Sequence, residues 1–463
     1  LGKTGAVRIG ESLMLDAVFQ VIDEKRDVYV RELQTLCRQP SIGVTGEGMA
    51  ETAAMVAEMV HQTGAQTDQV DTDGYPIILG DLPGSDPRCI NLYNHYDVQP
   101  ADPIDAWTTD PFGAEIRNGV LYGRGAADDK GELLARIFAV DAWRQIQGQP
   151  PVGVRFVFEG NEESGGASTV AFAQRHADRL RADGCIWEYG DKDAQGRPQI
   201  YLGLKGICVV QLHASGPACD THSMWGPVVP NPMWRLVWAL ASIKDHHERF
   251  LMPGFYDRVR APNSAERDTL DRLEFDIDAE RDRHGIEDFL AGNTKGQVLN
   301  RLNFEPALTI HGISGGGTGK QATVSIPKSA MAKMDFRLVP DQRVADIEPQ
   351  LREHLDQQGF HDIEVEFLGG AEPARTSLDD PLVGAAVRAA RRVYGVEPDV
   401  HPTSPGSGPM FVLCQGLGIP CVSCGIAHAG SNFHGPDENI LLDDFILGIK
   451  HLAATLYEYA AEK

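Results

Sequence analysis

Short apolar runs alternate with helix-length patterns through the first two hundred residues, and nothing else in the chain narrows its fold as much. Residues 14–38 read as a helix, with Val21, Val28, Leu33 and Leu36 among its apolar positions. Residues 49–63 read as another, closed by Gly64. A run from Cys89 to Tyr93 follows, then a helix over 131–146, a strand over 152–158, a helix over 167–181 and a run over 185–187. Strands alternating with helices predict a mostly parallel, doubly wound α/β sheet.

The pattern changes near residue 205. Residues 207–214 alternate as a half-exposed strand, and 231–243 read as a helix. A charged stretch at 246–295 reads as irregular. Residues 329–339 alternate cleanly, with Ala330, Ala332, Met334, Phe336 and Leu338 on one face and Lys333, Asp335 and Arg337 on the other. A helix near 342–358 and a strand near 362–368 complete an α+β unit. The first pattern resumes with a helix at 380–394, a strand at 419–424 and a helix at 439–461. The economical expectation is one α/β domain, 1–205 and 373–463, interrupted by an inserted domain at 206–372.

Charge excludes some partners. The 463 residues carry 42 basic and 66 acidic side chains, so the net charge is 42 − 66 = −24. Nucleic acid and anionic membrane surfaces repel such a chain. No apolar stretch reaches the ~18 residues of a membrane helix, and the sequence opens at Leu1 without a secretory pattern. The eight cysteines are scattered, mostly in apolar surroundings, and only Cys421 and Cys424 form a C-x-x-C. That is the usage of a reducing, cytoplasmic compartment.

Ligands in open α/β sheets bind beyond the carboxyl ends of the strands, so polar residues placed there are candidates for chemistry. Five segments qualify: His95-Tyr96-Asp97, the glycine-rich Gly123 to Gly131 with Asp128 and Asp129, Asn161 to Gly166 with Glu162 and Glu163, Glu188 to Asp191, and Phe433 to Asn439 with His434. The glycine-rich segment lacks both phosphate-loop patterns. Two imidazoles with several carboxylates and no thiolate suit zinc, and less well manganese or cobalt. Five ligating side chains exceed one zinc's need; a carboxylate shared between two ions accommodates them. Adjacent glutamates can divide labour, one holding metal and one taking a proton from water. His428 rivals His434.

These segments resemble the M20 family of metallopeptidases, in its dipeptidase branch of carnosinases and related cytosolic dipeptidases. The matching stretches are Asn94 to Pro100, Leu121 to Gly131, Glu159 to Gly165 and His434 to Asn439. The resemblance implies a zinc-exopeptidase-like catalytic domain with an inserted lid that also dimerises. It implies two divalent ions, zinc first with manganese or cobalt as substitutes, cleaving a peptide-type amide in a small substrate with a free carboxylate. His95 would bind one ion, with Asp97 holding its imidazole, and Asp128 would bridge both. Glu162 would be the general base, and Glu163 and His434 would bind the second ion. Glu188 is the first choice for the ligand beside His95, with Asp191 the alternative. In the lid, His222 of Asp220-Thr221-His222-Ser223 would steady the oxyanion, often in the partner subunit's site. Arg337 and Ser407 would meet the substrate.

The loop Thr403 to Pro409 has Ser404-Pro405 where the dipeptidase branch usually has an Arg-Glu pair. That departure keeps an N-acyl or N-carbamoyl amino-acid amidohydrolase, or a carboxypeptidase, open as alternatives. A catalytically inactive binding protein on the same fold is an alternative of another class. The glycine loop Ser314 to Gly319 reads as a flexible lid loop rather than a phosphate cradle, because a strand and not a helix follows it.

Overall fold

The alternation of the first two hundred residues becomes one eight-stranded sheet. In spatial order its strands are Gln66–Val70, Ile77–Leu82, Val152–Glu159, Asp86–His95, Gly184–Trp187, Cys421–Ser423, Gln199–Tyr201 and Asp399–His401. The central pairs Val152–Glu159 with Asp86–His95, Asp86–His95 with Gly184–Trp187, and Gly184–Trp187 with Cys421–Ser423 are parallel. Antiparallel pairs lie towards one edge and at the crossing to Gln199–Tyr201. The computed structural model describes residues 3–290, 292–317, 319 and 324–462, with side chains from residue 13 onward. Thr318 of the glycine loop lies outside the described residues.

The chain separates into two compact units, one of Leu1–Gly203, Arg375–Pro402 and Gly408–Lys463, the other of Leu204–Ala374 and Thr403–Ser407. The loop 403–407 thus belongs with the second unit, a finer division than the sequence pattern suggests.

In the first unit, the helix Lys130–Gln147 is buried along nearly all its length. It packs against the last helix, Leu442–Ala460, which in turn packs on Pro381–Tyr394. Their apolar faces, with Trp143, Phe138 and Phe445, form the main core. The expected helix over 14–38 is two helices, Lys3–Glu24 and Arg26–Arg38, broken at Lys25. Residues 439–441 are not helical: Asn439–Leu441 pairs with Val120–Tyr122, which pairs with Glu115–Arg117. This small sheet ties the C-terminal segment to the glycine-rich one.

The second unit is a four-stranded antiparallel sheet ordered Ala307–Gly315, Ser329–Leu338, Gly206–Ser215, Ile363–Ala371. The helices Pro232–Ile243 and Val344–Gln357 pack on it over Phe336, Met334 and Val210. The stretch 246–295, read as irregular, instead contains the helices Ser264–Arg272 and Ile277–His284 and leads into Lys295–Phe304. Capping boxes start two of them, Asn263 with Glu266 and Thr294 with Gln297. No described helix is long and apolar enough to cross a membrane.

Candidate metal centre

Three parallel strands deliver the first candidate groups. His95 ends the strand Asp86–His95, Glu162 and Glu163 follow Val152–Glu159, and Glu188 follows Gly184–Trp187. Asp128 lies in the turn before the helix Lys130–Gln147. His434 reaches it from the segment anchored by the small sheet.

Asp128 stands between the two imidazoles. Its Oδ1 lies 3.1 Å from His95 Nε2, and its Oδ2 lies 2.9 Å from His434 Nε2. Glu188 Oε2 is 3.9 Å from His95 Nε2, and Glu163 Oε2 is 3.3 Å from His434 Nε2. The structure therefore gathers two groups of ligating atoms: His95, Glu188 and Asp129 on one side, Asp128, Glu163 and His434 on the other.

The tautomer of His95 follows from its neighbours. Nδ1 lies 3.0 Å from the Asp97 carbonyl oxygen, which can only accept. Nδ1 therefore carries a hydrogen, and Nε2 is the ring nitrogen turned towards Asp128 and Glu188. Burial disfavours the charged ring, but hydrogen bonds with Asp128 and Asp97 and the charges of Asp129 and Glu188 outweigh it and raise the imidazole well above its ordinary value. The carboxylate of Asp97 also stands 3.4 Å from Nδ1 through Oδ1, and it accepts the amides of Glu162 (3.2 Å) and Glu163 (3.1 Å). Gly43 makes room for this, since a Cβ there would sit 2.8 Å from Asp97 Oδ2.

The electrostatics call for positive charge. Burial lifts the Glu162 carboxyl to about 8, His95 opposing and Asp128, Glu163 and Glu159 adding to the rise. Glu188 is raised well above the carboxylate range, first by burial. Burial acts on Asp128 too, but the two imidazoles outweigh it and hold its carboxyl below the ordinary value. The oxygens Glu163 Oε1 and Glu188 Oε2 are buried without a hydrogen-bond partner. Two ligands of one tetrahedral zinc stand about 3.4 Å apart, close to the spacings around Asp128. Two imidazoles among clustered carboxylates, orphaned carboxylate oxygens and mutually raised carboxyls are a donor set that divalent cations fit.

Three further residues, given no role by the sequence reading, shape the centre. Glu438 lies fully buried against Arg124 (2.6 Å) and accepts the amides of Gly125, Ala127 and Asp128, so it pins the loop that presents Asp128. Asp129 Oδ2 accepts from the His95 amide and from Asn94 Nδ2, both at 2.9 Å, which makes it a brace for His95. Gln99 Nε2 donates to Glu163 Oε2 at 2.9 Å. A signal was present, since all three lie inside the stretches that carry the family resemblance. Nothing in the sequence says which acid faces a cation and which an amide.

The rivals sit elsewhere. Asp191 accepts from the hydroxyls of Tyr189 (3.3 Å) and Tyr201 (3.1 Å), so its oxygens are engaged away from His95. His428 is held between Asn439 Oδ1 and the Gly430 amide.

His222, Arg337 and Ser407 belong to the second unit. His222 is exposed, and its Nδ1 accepts from the Met224 amide. Arg337 donates from Nη1 to Ser407 Oγ at 3.0 Å and from Nε to Asp335 at 2.9 Å. Asp335, expected on a polar face, is buried and paired also with His311.

Comparison with known proteins adds four findings. A model of peptidase family M20/M25/M40 matches residues 91–458. The human Beta-Ala-His dipeptidase is 32% identical, over 96% of this chain and 93% of its own length. A Cys-Gly metallodipeptidase of Schizosaccharomyces pombe is 29% identical, over 97% of this chain and 99% of its own. Among solved structures, an M20 family metallo-carboxypeptidase from Sulfolobus solfataricus superposes with a TM-score of 0.87 at 36% identity, covering 94% of this chain and 99% of that one.

Proposed function

The chain belongs to peptidase family M20/M25/M40 and is a metal-dependent hydrolase; on that premise we propose that it cleaves the amide bond of dipeptides at a centre of two zinc ions bridged by Asp128. The observation that carries this reading is Asp128 itself, with one carboxylate oxygen turned to each imidazole. His95 and Glu188 would hold one ion, Glu163 and His434 the other. Glu188 is preferred over Asp191 because its free oxygen faces His95 while Asp191 is taken by two tyrosines.

Bound ions would supply positive charge that polarises the scissile carbonyl and acidifies the attacking water. The residues of the chain do the rest. Glu162, beside the ligands but not among them, takes the proton from water and passes it to the leaving amine. Asp97 fixes both His95 and the Glu162–Glu163 turn. Arg337 and Ser407, already joined within the second unit, form a fork for the substrate's free carboxylate. His222, with an exposed ring, stabilises the developing oxyanion. A homodimer through the second unit is supported by its exposed Trp234 and Trp238 and by the edge strand Ala307–Gly315, which bares Ile310 and Ile313. Eight free cysteines suit a cytoplasmic setting.

A second reading keeps the centre and changes the substrate to longer peptides trimmed from the carboxyl end. It is favoured by the likeness to the Sulfolobus carboxypeptidase. One experiment tests both. Purified protein is assayed on dipeptides, N-acyl amino acids and longer peptides, alongside Glu162→Ala. We expect dipeptides to be the best substrates and the variant to keep its metal while turnover falls by about 10²–10⁴. Near-normal turnover in the variant would remove Glu162 as the base, and preference for longer peptides would select the second reading.

A further inference from the structure

The C-x-x-C visible in the sequence is not the cysteine group that the fold assembles. In the first unit, Cys185 and Cys421 lie directly opposite each other on adjacent parallel strands. Cys414 follows the short helix Met410–Leu413 and joins them. The three Sγ atoms lie within 4.8 Å of one another, and all three residues are buried. Their backbones are fixed: Cys185 donates its amide to the Pro420 carbonyl at 2.8 Å, Cys421 donates to Thr376 Oγ1 at 2.7 Å, and the Cys414 carbonyl accepts from Leu417 and Ile419.

Filling the core is the ordinary work of a buried cysteine. Cys37 and Cys424 do that work inside the main apolar cluster, and the other three stand outside it. They are turned towards each other instead. Burial opposes ionisation of all three. At Cys185 the hydrogen bonds from Cys414 and Cys421, aided by the Arg136 guanidinium, outweigh burial and bring the thiol down to about 5. Cys414 and Cys421 are pushed well up, first by burial.

We propose that Cys185, Cys414 and Cys421 form a buried three-sulfur site for a soft monovalent ion of the copper(I) class. Thiolates select soft ions over the hard and borderline ones that carboxylates and imidazoles hold. Structural zinc takes four protein ligands, and no fourth ligating side chain joins this group among the described residues. Metal–sulfur bonds of about 2.3 Å place three sulfurs of a trigonal site about 4 Å apart, within reach of the observed spacing. The centre around Asp128 has no sulfur, so the two sites sort ions by softness.

The test uses the reduced holoenzyme with its divalent metal in place, titrated anaerobically with copper(I) from a chromogenic chelator. One equivalent per chain should be withdrawn, with a thiolate-to-copper band in the ultraviolet. Cys414→Ser and Cys421→Ser should abolish both, while Cys424→Ser and Cys219→Ser should leave them unchanged. X-ray absorption of the wild type should show a copper shell of three sulfurs, which decides the matter even where a serine variant fails to fold. No uptake by the wild type, uptake unaltered in a folded Cys414→Ser protein, or nitrogen and oxygen in the shell would overturn the site.

Discussion

The two halves of the proposed metal centre are built differently. On the His95 side every group is buried: the His95 side chain is 1% exposed and Glu188 11%. The strand Asp86–His95 carries His95, Gly184–Trp187 leads into Glu188, and Asp129 braces the His95 amide. On the other side His434 is 54% exposed and Asp128 25%. His434 has a left-handed backbone (φ +57°), and so do Asn432 and Asp437 close by. One half is part of the sheet. The other sets Glu163, 4% exposed and following the strand Val152–Glu159, against an exposed loop that carries His434, with backbone strain that its surroundings must offset. The lesson is that the first half is tied to folding and the second chiefly to function.

The sharpest way to break this comparison is to delete each imidazole in turn. His95→Ala leaves buried carboxylates without their partner, and we expect it to lower stability by about 3–5 kcal/mol. His434→Ala removes a half-exposed ring and should cost about 1 kcal/mol or less. Both should lose turnover. Denaturant unfolding of the two variants checks this, and equal losses would erase the distinction between the halves.

A smaller change probes the joint between them. Asp97 touches both sides, through its carbonyl to His95 and its carboxylate to the Glu162 and Glu163 amides. Gly43→Ala would press a methyl group to 2.8 Å from Asp97 Oδ2 and 3.1 Å from Ser164 Oγ. We expect a loss of about 1–3 kcal/mol together with weaker metal retention on both sides. A stable variant with full metal would show that the joint tolerates movement.

The parts of this picture that sequence made legible are those where polar residues interrupt apolar runs. His95 ends, and Glu162, Glu163 and Glu188 follow, strands that their apolar runs announce. His434 was legible only as a motif, because the small sheet that brings it to Asp128 joins residues more than three hundred positions apart. The helices of 264–304 were missed because their surfaces are so charged that little apolar periodicity shows; their capping boxes were the available signal. The strand Ala307–Gly315 was missed for the converse reason: as an edge strand it is exposed on both faces and shows no alternation in burial. The cysteine triangle was illegible for a simpler reason. It depends on which strands neighbour one another, and Cys185 meets Cys421 only because their strands pair.

The bridging role of Asp128 is the claim on which the rest depends, and metal content tests it most directly. Wild-type protein and Asp128→Asn are compared by elemental mass spectrometry after exhaustive dialysis, with circular dichroism confirming the fold of each. The account expects two divalent ions per wild-type chain and fewer than one in the variant, since a shared ligand serves both. A folded Asp128→Asn protein that keeps both ions, or a wild type that holds only one, would contradict it.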